Sequence, residues 1–175
     1  SCNIKCKFCY FLHTYDKWKE YDWSLDKAKG VIDSGIARGN DYMDVTGGEP
    51  TMYKHICEVV AYALSKNVKT CIITNGIVPS HKAEKLISAG IDEFLVSRHG
   101  LEDTHDFTTN CRGAYRKQLN FLHVLDMNEI PIRFNCVINH FNQHDIYEIA
   151  KELVQHKPRI VNFINMNPHH EWQDK

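Results

Sequence analysis

Five short apolar runs separated by amphipathic stretches constrain this chain of 175 residues more than any other feature. The runs cover residues 42–46, 69–76, 94–100, 132–139 and 160–165, and each is bounded by turn-forming residues. Between them the apolar positions recur at helical spacing. Leu25, Ala28, Val31, Ile32 and Ile36 form one stripe, starting after the N-cap candidates Ser24 and Asp26 and stopping near Gly39. Ile56, Val59, Val60, Ala63 and Leu64 form the next. Ser80 then caps a helix carrying Ala83, Leu86 and Ile87, with Gly90 as the stop. Leu119, Leu122 and Leu125 make a fourth stripe, and Asn142 is the N-cap candidate of a fifth helix with Ile146, Ile149, Leu153 and Val154 inward. Residues 11–23 and 101–112 read as loops. Strand–helix alternation at intervals of roughly 25–35 residues predicts a single α/β domain of parallel strands with right-handed crossovers.

The strand ends are polar. Gly47 and Gly48, Thr74 and Asn75, Ser97 and His99, Asn139, and Asn165 with Asn167 close successive runs. In parallel α/β folds the carboxyl ends of the strands are where ligands bind. Alternation along 132–139 puts Arg133, Asn135, Val137 and Asn139 on one face and Phe134, Cys136 and Ile138 on the other. The apolar face suits covering helices. The polar face would be costly inside a packed core and suits a wide partial barrel around a polar cofactor.

The opening segment, SCNIKCKFCY, sets Cys2, Cys6 and Cys9 in a C-x3-C-x2-C array with Phe8 before the last cysteine. Three soft thiolates on one short loop suit an iron–sulfur cluster or zinc. A [4Fe-4S] cluster on three cysteines leaves one iron open to a substrate or cofactor, as open metal positions do elsewhere. The zinc alternative is a knuckle completed by a histidine such as His13. A zinc knuckle stabilises domains too small to build a core, which this chain is not. The other four cysteines are scattered: Cys57, Cys71 and Cys136 read as buried inert thiols, and Cys111 as the one with reactive potential. Seven cysteines, an odd number without a framework spacing, indicate reduced thiols and a cytoplasmic protein.

Gly47-Gly48-Glu49-Pro50 follows the first visible strand about forty residues after the cysteines. Two glycines let backbone approach a ligand closely, and Glu49 puts a carboxylate beside it; a plain Gly-Gly turn before a helix is the simpler account of the same residues. With C-x3-C-x-Phe-Cys and GGEP in this order, the chain resembles the radical S-adenosylmethionine (SAM) superfamily, in particular its sulfatase-maturase, peptide-modifying and cofactor-synthesis branch. The resemblance runs from Cys2 to about Pro168. It implies a partial (β/α)6 barrel over residues 1–175, with the first strand upstream of Ser1 and any C-terminal cluster domain outside the sequence.

The cofactors it implies are a [4Fe-4S] cluster on Cys2, Cys6 and Cys9 and a molecule of SAM. Gly47, Gly48, Glu49 and Pro50 would hold the SAM amino group. Phe8 and the Tyr10 backbone would hold the adenine edge, with Ile164 or Met166. Asn75, Ser97 and either Asn135 or Asn139 resemble the family's strand-end contacts to ribose and carboxylate, and His99 is a further cofactor-binding candidate. The segment SRHGLEDTHD resembles the family's S-x-[DH]-G…HD stretch, with Arg98 or Arg112 standing in for a basic residue that relatives place a few positions later. The expected activity is reductive cleavage of SAM to a 5′-deoxyadenosyl radical that takes hydrogen from a peptide or small metabolite. Its electron would come from a reductase or a flavodoxin- or ferredoxin-type donor.

A formal net charge of -1 argues against a nucleic-acid partner, although tRNA modification stays open within the resemblance. No apolar run approaches the roughly 20 residues of a membrane span. A non-catalytic iron–sulfur or zinc protein for electron transfer leaves GGEP and the polar strand ends without a purpose. A doubly wound SAM methyltransferase leaves the three cysteines without one.

Overall fold

The computed structural model describes residues 1–9 and 23–166; Tyr10, His13, Trp18, Asn167, Pro168 and Trp172 lie outside these. In chain order the elements are α1 (Leu25–Ile36), β1 (Tyr42–Val45), a 3-10 turn (Pro50–Met52), α2 (Ile56–Ser65), β2 (Lys69–Thr74), α3 (Ser80–Ser88), β3 (Glu93–Ser97), α4 (Glu102–Thr109), α5 (Ala114–Met127), β4 (Ile132–Ile138), α6 (Ile146–Leu153), a second 3-10 turn (Val154–His156) and β5 (Ile160–Asn165). The five strands form one sheet in the order β1-β2-β3-β4-β5, and every neighbouring pair is parallel. This is the α/β arrangement that the alternation predicts.

Register decides which side chains meet the helices. Val45, Ile72, Phe94 and Ile132 lie abreast across the first four strands, and Val96, Phe134 and Val161 across the last three. These residues pack with Ile56 and Val60 of α2, Leu86 of α3, Phe121, Leu122 and Leu125 of α5, and Ile149 and Leu153 of α6. Phe94 and Phe121 meet edge to face at 5.2 Å. Each such large apolar side chain contributes about 1.5–3 kcal/mol on burial. Ala28 and Ile32 of α1 extend the layer against Val59, Ala63 and Val68.

The opposite face of the sheet carries the polar set. Asp44, Cys71 and Glu93 stand abreast in one row across β1–β3, and Ser97, Asn135 and Asn162 in a second row across β3–β5. Beside the first row, Arg133 bridges three strands. Its Nη2 donates to Tyr42 Oη at 2.6 Å and its Nε pairs with Glu93 Oε2 at 2.7 Å. Arg159 pairs with the other Glu93 oxygen at 3.2 Å. The alternation read from residues 132–139 therefore holds: Phe134 and Cys136 are buried under helices, while Arg133 and Asn135 face away from them.

Four local expectations are corrected. Residues 102–109, read as loop, form α4, whose buried face is His105, Thr108 and Thr109 rather than an apolar stripe. Ser80 is the first residue of α3, and Pro79 holds the cap position. Asn142 does not cap α6, which starts after Asp145. Its fully buried amide accepts from the Asn139 N–H and donates to the carbonyls of His99 and Val137, tying its own loop to the end of β4 and to the loop after β3. Val31, Ile36, Leu64 and Val154 are exposed rather than inward.

Candidate functional site

The cysteine loop lies across the carboxyl ends of β1, β2 and β3 and is tied to each side of that rim. The Glu49 N–H donates to Ser1 O at 2.8 Å. Asn3 Nδ2 donates to Ile77 O at 3.2 Å, and Asn75 Nδ2 donates to Asn3 Oδ1 at 2.7 Å. On the far side the Lys7 N–H donates to Thr108 O at 3.0 Å, at the end of α4. The Lys7 ammonium rests 3.2 Å from the centre of the Phe107 ring. Phe8 meets the His99 imidazole edge-on, with centroids 4.6 Å apart. The Cys9 N–H closes a turn onto Cys6 O at 3.1 Å.

Both glycines of GGEP are required by this geometry. Gly47 has φ 149°, a conformation that a side chain would strain. A Cβ on Gly48 would lie 2.1 Å from Ser1 O, inside any permitted contact. The backbone of 47–49 thus presses directly on the start of the cysteine loop. Glu49 completes the joint from the other side. Its buried carboxylate accepts from the Thr51 N–H and hydroxyl, from Thr74 Oγ1 at 2.9 Å and from the Asn75 N–H at 2.9 Å. Burial raises its pKa against the pull of these four hydrogen bonds. Pro50 opens the 3-10 turn that follows.

The three thiols interact with one another. Burial first, then Cys9 and Cys2, push the Cys6 thiol up to about 12, and burial likewise raises Cys2. None of the seven cysteines is in a disulfide. Crowded thiols of this kind ionise only beside strong positive charge, and a metal centre supplies it. The donor set, its short loop and the glycine joint fit an iron–sulfur cluster. The fourth ligand suggested for zinc, His13, lies outside the described residues, among which no three Cys, His, Asp or Glu side chains converge on a single-ion site.

The remaining expected residues divide into two groups. Ser97, Asn135 and Ile164 lie on the face of the sheet away from the helices, beside Asn162, whose Nδ2 donates to Asn135 Oδ1 at 2.9 Å. Asn75, by contrast, spends both side-chain atoms locally, on Asn3 and on the Ile77 N–H. His99 is buried behind Phe8. Its Nδ1 accepts from the Val137 N–H at 3.1 Å, and burial lowers its pKa to about 3. The His99 N–H donates to His105 Nδ1, so both rings are neutral props of the loop. Arg98 turns away from the open face: its guanidinium is wholly buried between Gln118, Glu152 and the Tyr115 ring. Arg112 borders a cleft of about 670 Å³ with Lys7, Phe107 and Cys111.

The sequence pattern of the radical SAM superfamily matches residues 1–153. The chain belongs to this superfamily. Over 161 residues it is 34% identical to an Fe-coproporphyrin III synthase of Methanosarcina barkeri, covering 91% of the chain and 40% of that protein. It is 24% identical over 155 residues to the sporulation killing factor maturation protein SkfB of Bacillus subtilis, covering 87% of the chain and 37% of that protein. Among solved structures, SuiB of Streptococcus suis bound to S-adenosylmethionine superposes with a TM-score of 0.78 at 19% identity, over 97% of this chain and 38% of that one. An anSMEcpe structure with bound AdoMet and a peptide superposes with a TM-score of 0.77 at 17% identity, over 95% and 49%. The chain thus spans under half the length of each of these proteins. Radical SAM proteins are enzymes built on a [4Fe-4S] cluster and SAM, and the five-stranded parallel sheet is that of their partial barrel.

Three residues of the site escaped the reading by motif. Asn3 lies inside the cysteine spacing, and the C-x3-C pattern gives it no role of its own. Asn162 needed the β4–β5 register. Gln118 did leave a signal: it occupies the apolar stripe of α5 with Ala114, Leu122 and Leu125, and a lone amide there implies a buried partner.

Proposed function

We propose that this chain forms the cluster and SAM site of a radical SAM enzyme that acts on a peptide or a small metabolite. The observation that carries this is the joint between the two motifs: GGEP backbone bears directly on the cysteine loop through Gly48 and Ser1, at the carboxyl ends of parallel strands. In this reading Cys2, Cys6 and Cys9 each ligate one iron and leave the fourth open. The Gly47–Gly48 backbone, with Pro50 directing the chain away, presents polar groups to the SAM amino group, while the Glu49 carboxylate holds that backbone to β2. Ser97 and Asn135 face the ribose or carboxylate. Phe8, propped by His99, and Ile164 flank the adenine. Asn75 serves by fixing Asn3. Together the cluster and SAM supply a 5′-deoxyadenosyl radical, the species that takes hydrogen from an unactivated C–H bond. The chain's task is to orient SAM and to keep water and quenchers from that position.

Two groups of relatives support the substrate classes. SuiB is seen bound to its precursor peptide SuiA, anSMEcpe is seen with a peptide, and SkfB is a maturation protein. Fe-coproporphyrin III synthase and AdoMet-dependent heme synthase support a small metabolite. The electron would come from a reductase or a flavodoxin- or ferredoxin-type protein. Seven thiols without a disulfide support a cytoplasmic setting, and no helix among the described residues is long and apolar enough to cross a membrane.

The test is anaerobic turnover of the full-length protein after reconstitution with iron and sulfide, with 5′-deoxyadenosine quantified. Formation that disappears in Cys6→Ala is the expected result. A cluster that forms while SAM stays intact would move the assignment to electron transfer. Stimulation by peptides or by tetrapyrroles then separates the two substrate classes.

A further inference from the structure

β2 and β3 pair as far as Thr74 and Val96, and there the ladder stops. One residue further on, the carbonyls of Asn75 and Ser97 lie beyond that ladder, although Ser97 still pairs with Asn135 of β4. Both are satisfied by one side chain from the helix layer: Gln118 Nε2 donates to Asn75 O at 2.7 Å and to Ser97 O at 2.9 Å. Gln118 Oε1 accepts from Arg98 Nε. Arg98 in turn is fixed by Glu152 at 2.6 Å and by the Tyr115 ring, 4.2 Å from its guanidinium carbon. Gln118 and Arg98 are both fully buried. Gly76, at φ 74°, lies flat on the Gln118 side chain: a Cβ there would come within 2.6 Å of Gln118 Cγ.

We infer that Gln118 is a positioning residue for the SAM site, a bracket that sets the spacing between the ends of β2 and β3. The inference rests on the proposed SAM reading. Asn75 carries the cysteine loop through Asn3, and Ser97 carries a polar group on the open face. Gln118 touches neither the loop nor that face. It joins the two strand ends that do, so the distance from cluster to ribose pocket is set from behind the sheet. A buried amide is suited to this because its two N–H groups are fixed by one rigid plane whose oxygen Arg98 holds.

The variant is Gln118→Glu in the full-length protein. It keeps the shape and the contact with Arg98 and replaces the double donor with an oxygen facing two carbonyls. Three quantities are read under anaerobic conditions: iron and sulfide per chain, the SAM dissociation constant from the SAM-induced change in the EPR of the reduced cluster, and hydrogen exchange of the peptide spanning residues 75–78 without SAM. Cluster content should match wild type, exchange at Gly76 and Ile77 should quicken, and SAM affinity should fall about 10-fold, as expected for loss of buried hydrogen bonds. Wild-type affinity in the variant overturns the bracket and leaves the SAM reading intact. Absence of any SAM-induced change in wild type overturns both. Should Gln118→Glu not fold, Glu152→Gln loosens Arg98 from the partly exposed end of the same chain of contacts. It should weaken SAM binding by a smaller factor, and unchanged affinity there contradicts the inference.

Discussion

The side-chain amide of Asn75 donates to Asn3 Oδ1 at 2.7 Å while its own oxygen accepts from the Ile77 N–H at 2.8 Å. A strand-end residue thereby grips the cysteine loop between Cys2 and Cys6. Asn75→Ala removes the grip and leaves the ligands in place. Changes of this kind behind metal ligands lower metal affinity by about 10-fold or more. Iron retained per chain after timed exposure to a chelator should fall accordingly. Retention equal to wild type would show that the other ties suffice.

Gly48→Ala should be worse. Its new Cβ meets Ser1 backbone, which has no side-chain freedom with which to move aside. The cysteine loop must lift from GGEP, and the expectation is a protein with native far-UV circular dichroism that assembles little cluster. Full iron and sulfide content after reconstitution would contradict the joint.

Glu49→Gln tests the other side of the same joint. Four donors converge on this carboxylate, and a carboxamide would turn an N–H₂ toward at least one of them. Stability should fall by about 1–3 kcal/mol, the cost of leaving buried polar groups unsatisfied. Urea denaturation of the unreconstituted protein measures this, and an unchanged midpoint would count against the pinning role.

Two buried histidines make stability depend on pH. The folded state holds His99 near 3 and His105 near 2, both by burial first, against 6.5 for an unperturbed ring. Folded pKa values below the unfolded ones mean that only the unfolded chain gains these protons as pH drops. Their stabilising effect is complete above about 6.5 and is lost progressively toward 3. The urea midpoint should decline from pH 7.5 to pH 5, and His105→Asn, even if less stable throughout, should show a shallower decline. Equal slopes in the two proteins would contradict the assignment.

Most of the architecture was legible because its signals are local and periodic. Apolar stripes placed α1, α2, α5 and α6, β-branched runs placed β2 and β4, and the alternation along β4 sorted Asn135 from Phe134. The element that was missed, α4, buries His105, Thr108 and Thr109, so no apolar period announces it. The motifs located the cysteines and GGEP because their chemistry requires residue types at fixed spacing. Side-chain direction was another matter. Glu49, Asn75 and His99 lie where the motifs put them, yet each spends its polar atoms holding the scaffold. Only three-dimensional partners such as Thr74, Asn3 and Val137 reveal that.

The most direct test of the central claim is the EPR spectrum of the reduced, reconstituted full-length protein with and without SAM. A [4Fe-4S] signal that changes on adding SAM, and that is absent from Cys6→Ala, is what the account predicts. A spectrum indifferent to SAM, or a protein that takes up zinc and assembles no cluster, would contradict it.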